Sequence, residues 1–388
     1  MHSLRKVRQI SVLSAMLAAL LACNLGAPSQ PTAPPETPAS PEVPTEASTE
    51  APPPDPLVVT YQEPTFSLYQ LDGTLVETRP ADGMNYPRPN TAQVGGQDVF
   101  YVYTSPSDFS SVVRRVSSSG SEDLAFTASD VMGSLSFAVS PDGSRIAWAQ
   151  TISGPNVPFS RLWVANIDGS GQTLVADSET ETEFADYFVL EPVTWLANGD
   201  LVYAWQITGI GGYILFFGWS SLYQYSPDTA AITPLAPLLS DSQGPCWSGI
   251  TSDGAYAVSS CGGPGQMLER ATATGVETLF PLLADQGQAG AGAYSPSGDQ
   301  LAYGIARSDY NNEAGQVILV ASRGGAPVSI ASHAPGYFHR IFWVAEDRMV
   351  VGVSGMDANQ MSVDLLRTDG TRTPIGEGTV IGLMTPAP

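Results

Sequence analysis

Residues Phe137–Gln150 read FAVSPDGSRIAWAQ, two apolar runs separated by the turn-forming residues Ser-Pro-Asp-Gly. In such a turn proline presets φ, aspartate tolerates unusual backbone and glycine supplies positive φ. The pattern predicts a β-hairpin. A near copy, AYSPSGDQLAYGIA, occupies Ala293–Ala306. The hairpin is therefore interpreted as a repeated building unit and not as a catalytic motif.

Degraded copies of this hairpin recur along the chain at intervals of roughly 50 residues, which is a repeat length typical of propeller blades. A large apolar residue ends the strand before the turn in the five clearest copies. The turns lie at Val94–Asp98 (the weakest), Ser140–Gly143, Leu196–Gly199, Thr251–Gly254, Ser295–Gly298 and Val344–Asp347.

A second hairpin follows the first in each unit. It is clearest at Arg161–Asp177, Gln316–Ser332 and Ser362–Gly378, where alternating strands are joined by Asp-Gly or Gly-Gly turns. Such turns between alternating strands are a strong hairpin signal. Each unit is thus predicted to hold four antiparallel strands, the pattern of a β-propeller blade.

Six complete units begin near residues 92, 134, 191, 246, 290 and 338. One unpaired strand is left at Thr379–Pro386, and three remain at Leu57–Gln62, Phe66–Gly73 and Leu75–Arg79. Joined, they make a seventh blade that the two ends share, which would remove the open edge of the ring. We predict an all-β, seven-bladed propeller over residues 57–388. The alternative is six blades with an irregular N-terminal extension.

Two quoted segments carry a family resemblance. FAVSPDGSRIAW, together with LWVANIDGSGQTLV at Leu162–Val175, resembles the TolB-type, WD-like propeller repeat of bacterial envelope proteins. The resemblance covers most of Gln62–Thr379 and implies the propeller fold. It implies function only broadly, because that family includes binding proteins, protease-associated propellers and lipoproteins without an assigned role.

The N-terminus has the pattern of an export signal over residues 1–22. Arg5, Lys6 and Arg8 precede an apolar segment, Ile10–Ala22, that is short for a membrane span. The ending LLAC resembles a bacterial lipobox, which implies that Cys23 is lipidated. The alternative is an ordinary secretory signal with an incidental cysteine.

Residues 23–56 are rich in proline and lack aromatic residues. Such a segment cannot bury enough apolar surface to fold and is predicted to be an extended tether, with a reach on the order of 100 Å. With a lipid on Cys23, the tether would hold the propeller near the extracytoplasmic face of a cell membrane.

The charge limits the classes of partner and of chemistry. The formal net charge is −22, which excludes nucleic acid as a partner because phosphate binding needs concentrated positive charge. Lys6 is the only lysine, so a mature chain would lack the lysine that Schiff-base and P-loop chemistry require. The expected state is a monomer.

Few residues suggest catalysis or metal binding. His333 and His339 occur without a G-x-S-x-G motif or a third zinc ligand, and are interpreted as loop histidines. The acidic segments Asp177–Asp186 and Ser308–Glu313 offer oxygen ligands for Ca²⁺, but neither has the spacing of a known calcium loop. Solvated acidic loops are the favoured interpretation, and no cofactor is expected.

Two cysteines flank one of the repeated hairpins. If Asp253-Gly254 is a two-residue turn, counting outward places Cys246 opposite Cys261, and an exported protein permits a disulfide there. Such a bridge would have a structural role, worth about 3 kcal/mol on the chain-entropy model. The alternative is two free thiols, one register step apart.

The repeat geometry also predicts which face carries function. We label the strands of a blade a to d from the axis outward. The a–b and c–d turns are short and share one face, here the short-turn face. The b–c loops and d–a crossovers share the opposite long-loop face, where binding residues usually lie. The candidate binding residues there are Tyr213, Phe216, Phe217, Trp219, Asp186 and Asp309.

The aromatic cluster Ile207–Trp219 is either an exposed patch for a partner or ligand or an extension that packs on the fold. We predict a non-catalytic propeller that binds a protein, peptide or glycan of the cell envelope. The alternative is a glycan hydrolase or lyase that uses two carboxylates about 5–10 Å apart, drawn from Asp186, Glu191 and Asp309.

Overall fold

The structure is a computed structural model, and every residue it describes lies in the second of two units, Met1–Pro52 and Pro53–Pro388. Some residues within its strands are described by their backbone alone. The described residues are 54–84, 87, 90–129, 135–152, 159–178, 188–207, 219, 221–236, 247–251, 257–259, 267–272, 275–281, 288–306, 316–322, 326–333, 337–354 and 361–386.

The described chain is all-β apart from one 3-10 turn, Ala125–Thr127. Its strands are β1 Leu57–Gln62, β2 Thr65–Tyr69, β3 Leu75–Pro80, β4 Ala92–Gly95, β5 Asp98–Thr104, β6 Ser111–Ser117, β7 Gly120–Asp123, β8 Leu135–Val139, β9 Arg145–Ile152, β10 Phe159–Asn166, β11 Thr173–Asp177, β12 Phe188–Trp195, β13 Leu201–Ile207 and β14 Leu222–Ser226. They continue with β15 Ala231–Ala236, β16 Trp247–Ile250, β17 Ala257–Ser259, β18 Met267–Thr272, β19 Gly275–Pro281, β20 Gln288–Tyr294, β21 Gln300–Ala306, β22 Gln316–Ser322, β23 Val328–His333, β24 Tyr337–Ala345, β25 Arg348–Ser354, β26 Met361–Arg367, β27 Arg372–Glu377 and β28 Thr379–Met384.

These strands form seven four-stranded antiparallel sheets within the described residues. Blades 1 to 6 each consist of four consecutive strands, starting with β4, β8, β12, β16, β20 and β24. Blade 7 has the order β28-β1-β2-β3, so the last strand of the chain pairs with the first. The blade starts lie within three residues of the starts predicted from the repeat, and the blade shared by both ends is confirmed. No helix long and apolar enough to cross a membrane occurs in the described segments.

The core lies between blades, where apolar side chains of neighbouring sheets interdigitate. Val59, Phe66 and Leu68 of blade 7 pack against Val99 and Tyr101 of blade 1, and all five are buried. Equivalent clusters join blades 1 and 2, 2 and 3, 5 and 6, and 6 and 7. The sheets of blades 1, 2, 6 and 7 are therefore covered on both faces, which agrees with the buried apolar runs of strands such as β9 and β25.

The innermost strand of each blade has one edge with no fifth strand beside it, and side chains from adjacent blades bond to that edge. Trp195 Nε1 donates to the Ala138 carbonyl at 3.0 Å, and Trp343 Nε1 donates to the Ala293 carbonyl at 2.9 Å. Gln93 bridges to β8 by donating to Phe137 O and by accepting from Val139 N, at 3.1 and 3.0 Å. These bonds satisfy backbone groups that strand pairing leaves over.

Both ends of blade 7 are tied to the blades beside it. Asp55, just before β1, forms an ion pair with Arg348 of blade 6 at 2.6 Å. On the other side, Gln97 of blade 1 donates a hydrogen bond to the carbonyl of Thr385. The two contacts flank the β1–β28 pairing on the short-turn face.

The register of the hairpin that the two cysteines flank agrees with the prediction only close to its turn. Gly249 pairs with Val258 and Ile250 pairs with Ala257, as outward counting from Asp253-Gly254 requires. The register then shifts, because Trp247 pairs with Ser259. A β-bulge adds one residue to one strand and thereby moves every later pair. Cys246 and Cys261 lie outside the described residues, and their disulfide stays a prediction.

We expect Trp195→Phe to lower the free energy of unfolding by about 1–3 kcal/mol, because the buried carbonyl of Ala138 loses its donor while an aromatic ring is kept. Urea denaturation of the full chain measures this. The control is Trp163→Phe, which trims an indole that stacks on Trp148 at 6.3 Å. Equal losses in the two variants would contradict the role of the inter-blade hydrogen bond.

Candidate functional site

On the short-turn face, several turns are stabilised by the carboxylate of an aspartate that belongs to the turn itself. In four Asp-Gly-Ser/Thr turns, the aspartate Oδ1 accepts a hydrogen bond from the backbone N–H two residues later, at 2.8–3.0 Å. The glycine between them has φ of +74° to +90°. Hydrogen bonds from the Ser140 and Ser170 hydroxyls, together with the backbone bonds, lower the pKa of Asp142 and Asp168, and the backbone bonds are the main cause of the lowered pKa of Asp72 and Asp369. The carboxylates therefore stay charged and hydrogen-bonded within their turns. The four aspartates are Asp72, Asp142, Asp168 and Asp369.

A shallow polar depression of about 560 Å³ lies on this face between blades 5 and 6. It is lined by Ser297, Asp299, Gln300, Ser322 and Glu346. The carboxylate of Glu346 accepts hydrogen bonds from Ser297 N at 2.8 Å and Ser297 Oγ at 3.0 Å. Gln300 Nε2 also donates to the Glu346 carbonyl at 2.8 Å. Glu346 therefore joins two blades.

Burial alone would raise the pKa of Glu346, but hydrogen bonds from Ser295, Ser297 and Gln300 together lower it. The charged form is the one that these donors stabilise. The depression thus has an anionic wall whose carboxylate is already engaged by the protein.

The described part of the long-loop face includes the b–c loop of blade 1, residues 105–110. Ser105 N donates to Ser110 O at 2.8 Å, and Phe109 N donates to Ser105 O at 3.0 Å. Asp108 Oδ1 accepts from Ser110 N and Ser110 Oγ, at 3.1 and 2.8 Å. Phe109 is 56% exposed and has φ of +59°. The loop thus holds a solvent-exposed phenyl ring in a left-handed backbone conformation.

The strand ends that flank this loop are held by contacts of Tyr103, Thr104 and Arg114. The guanidinium of Arg114 lies 3.6 Å from the centre of the Tyr103 ring and forms an ion pair with Asp123 at 2.6 Å. On the crossover from blade 7, Gly83 accepts from Thr104 N at 3.2 Å. A Cβ on Gly83 would lie 2.3 Å from a Tyr103 ring carbon, so only glycine fits there. These contacts fix the start of the loop against blade 7.

Most of the site residues that the sequence predicts lie outside the described residues, namely Tyr213, Phe216, Phe217, Asp186 and Asp309. The same holds for Cys23. Trp219 is described, is partly buried, and packs against Val202, Ala204 and Leu222.

Other candidates are placed on strands. Asp177 ends β11 and forms an ion pair with Arg161 at 2.8 Å. Glu191 lies on the inner strand β12, opposite Ala204 and partly buried. His333 ends β23 and His339 lies within β24. The prediction that both histidines lie in loops is therefore wrong. Among the described side chains, no group of three or more His, Cys, Asp or Glu is arranged to hold a metal ion.

The sequence reasoning missed Phe109. A usable signal was present, because Asp108-Phe109-Ser110 has the Asp-X-Ser pattern of the short turns with phenylalanine in the glycine position.

Comparison with known proteins supports the fold. No protein-family model matches the sequence, and no curated protein matches it. The chain is similar in structure to prolyl oligopeptidase B from Galerina marginata, with 9% identity over 85% of this chain and 52% of that chain and a TM-score of 0.53. This chain therefore spans about half the length of that enzyme. At 9% identity the likeness to prolyl oligopeptidase B concerns the fold alone.

Two further structures are similar to this chain. The β-propeller domain of the trilobed protease from Pyrococcus furiosus is 11% identical, covering 74% of this chain and 84% of that one with a TM-score of 0.48. A TolB protein from Agrobacterium tumefaciens is 16% identical over 63% and 80% of the two chains, with a TM-score of 0.38.

We expect Glu346→Gln to destabilise the chain near pH 7, because the amide is a weaker acceptor than the carboxylate for the donors of Ser297. The folded-state pKa of Glu346 is lowered, so its contribution is present above the unfolded pKa and is lost as the pH falls through the folded value. The difference between variant and wild type should therefore shrink from about pH 7 to about pH 3. Denaturation midpoints across this range measure it.

The control is Glu122→Gln, which removes an exposed carboxylate that pairs with Arg115 at 3.2 Å. This exposed pair is expected to contribute little. A pH-independent loss in Glu346→Gln would mean that the charge of Glu346 does not stabilise the junction between blades 5 and 6.

Proposed function

We propose that this chain is an envelope-anchored lipoprotein whose β-propeller binds a protein, peptide or glycan through its long-loop face, without catalysis. The lipid on Cys23 would attach the chain to the membrane, and residues 24–56 would serve as the tether. The proposal places the protein outside the cytoplasm.

The observation that carries the binding role is the difference between the two faces. On the short-turn face the described connections are brief, and their carboxylates are engaged by neighbouring backbone N–H groups. The connections with spare length, such as 208–221 between β13 and β14 and 307–315 between β21 and β22, belong to the other face. Long loops on a rigid scaffold are the usual location of binding residues.

The ring itself supports a role in binding. Its inner strands are held from blade to blade by bonds such as those of Trp195 and Trp343. Such cross-links keep the loop bases at fixed separations, which lowers the conformational entropy that binding costs. A rigid rim with long loops suits recognition of a large partner.

The experiment expresses the full chain with an affinity tag in its source organism and compares three forms. Cys23→Ala should move the protein from the membrane fraction to the soluble fraction. A double variant, Phe216→Ser with Phe217→Ser, should lose the envelope component that co-purifies with wild type while keeping its unfolding midpoint.

Leu174→Ser is the matched control for the double variant, because Leu174 is an exposed apolar residue on the outer strand β11. It should keep both anchoring and co-purification. If wild type retains no envelope component, the binding role fails. If the double variant changes stability alone, Phe216 and Phe217 are not part of the binding surface. If Cys23→Ala stays in the membrane fraction, the anchor is not at Cys23.

A further inference from the structure

Phe109 has a backbone conformation that its residue type disfavours. Among the described residues, only Phe109, Ala230 and Ala291 have positive φ without being glycine, at 59°, 56° and 53°. A left-handed conformation crowds the Cβ atom against the following carbonyl, and for a bulky residue it is an outlier. Phe109 is the only large side chain of the three.

The Asp-X-Ser hydrogen bonds around Phe109 match those of a turn in which the middle residue is glycine. Asp108 accepts from Ser110 N and Oγ at 3.1 and 2.8 Å. In the c–d turn of blade 2, Asp168 accepts from Ser170 N and Oγ at 2.9 and 2.6 Å, with Gly169 between them at φ +82°. The same pair of hydrogen bonds thus forms around a glycine, and phenylalanine in that position adds backbone strain.

More than half of the Phe109 side chain is open to solvent, at 56% exposed, and the loop closes through backbone bonds between Ser105 and Ser110 and between Phe109 and Ser105. Exposing a large apolar side chain also has an unfavourable hydration free energy. Strained residues persist where the surroundings fix them, and they concentrate at functional sites.

We infer that Phe109 is the anchor residue of a docking surface for a folded protein partner that offers an apolar pocket rimmed by basic side chains. The inference rests on the proposed function, because it assigns the class of partner and one contact residue on the same long-loop face. The b–c loop of blade 1 would insert the phenyl ring into that pocket.

The class of partner follows from shape and charge. Phe109 exposes 56% of its surface beside the hydrogen bonds that close the loop, so most of that exposed surface can be buried only by a partner with a concavity. A flexible glycan or an extended peptide would cover one side of the ring. Desolvated aromatic residues in pockets are the usual binding hot spots.

The rim of the pocket should be basic. Hydrogen bonds from Ser105 and Ser110 lower the pKa of Asp108, which keeps a negative charge beside the ring. The chain as a whole has a net charge of −22. Charge complementarity at the rim speeds association and makes it depend on salt.

The experiment introduces p-benzoylphenylalanine at position 109 of the full chain in its source organism, followed by irradiation and identification of the cross-linked product. The same photoreactive residue at Val328, which is 60% exposed on an outer strand, is the positional control. We expect one protein to cross-link at position 109 and not at position 328. That protein, once purified, should bind wild type at least tenfold more tightly than Phe109→Gly, with an affinity that falls as salt is raised.

The unfolding temperature of each variant distinguishes a loss of docking from a loss of folding. Phe109→Gly should unfold at a higher temperature than wild type, because glycine relieves the strain at positive φ. Ala230→Gly is the matched control, since it relieves the same kind of strain in a turn on the short-turn face. It should also stabilise the chain, and it should leave the affinity for the cross-linked protein unchanged.

Several outcomes would overturn the inference: no cross-link at position 109, the same products at positions 109 and 328, a cross-link to glycan or lipid, an unchanged affinity in Phe109→Gly, or a lower unfolding temperature in that variant. If co-purification depends on Phe216 and Phe217 while Phe109→Gly binds normally, the proposed function stands and the anchor at Phe109 fails. If neither site affects binding, both fail.

Discussion

Antiparallel pairing of β28 with β1 is the constraint on which the ring depends. It joins residues 379–384 to residues 57–61, so the closing sheet forms only after nearly the whole unit has been made. Without this pairing, blade 7 would keep only three strands, β1 to β3. The inner strands of blades 6 and 1 would then lose β28 as their neighbour. The pairing covers the edge of β1 that would otherwise be free to pair with another chain. It also requires contacts between distant residues, which is typical of slow-folding β topologies.

The closing blade makes the short-turn face the more constrained of the two. Both chain ends of the ring meet there, and the ion pair between Asp55 and Arg348 fixes the incoming chain against blade 6. On the same face, the Asp-Gly-Ser/Thr turns satisfy their own backbone groups and hold short connections between strands. A face used in this way for closure and turns has little spare length for recognition, and variation in loop length is left to the opposite face.

The fold could be predicted from the sequence because the repeat recurs many times. Turn residues such as those at Ser140–Gly143 are local signals, and their spacing gave the blade boundaries to within three residues. The register near Trp247 could not be predicted, since a bulge depends on packing that no local pattern records. For the same reason the sequence did not show that Trp219 packs on Leu222 or that His339 lies within a strand.

The candidate site was harder to predict because its signal is an exception to the repeat. Loop length and aromatic density, the two signals visible in the sequence, point to residues 207–219. Phe109 is instead a single departure from a turn that uses glycine elsewhere, and it is recognised only when backbone φ and exposure are known. In a repeat protein the structural residues are set by what the copies share. A residue that breaks the shared pattern at a cost in conformational energy, and whose apolar side chain is more than half exposed, is therefore better explained by a contact outside the chain than by the fold.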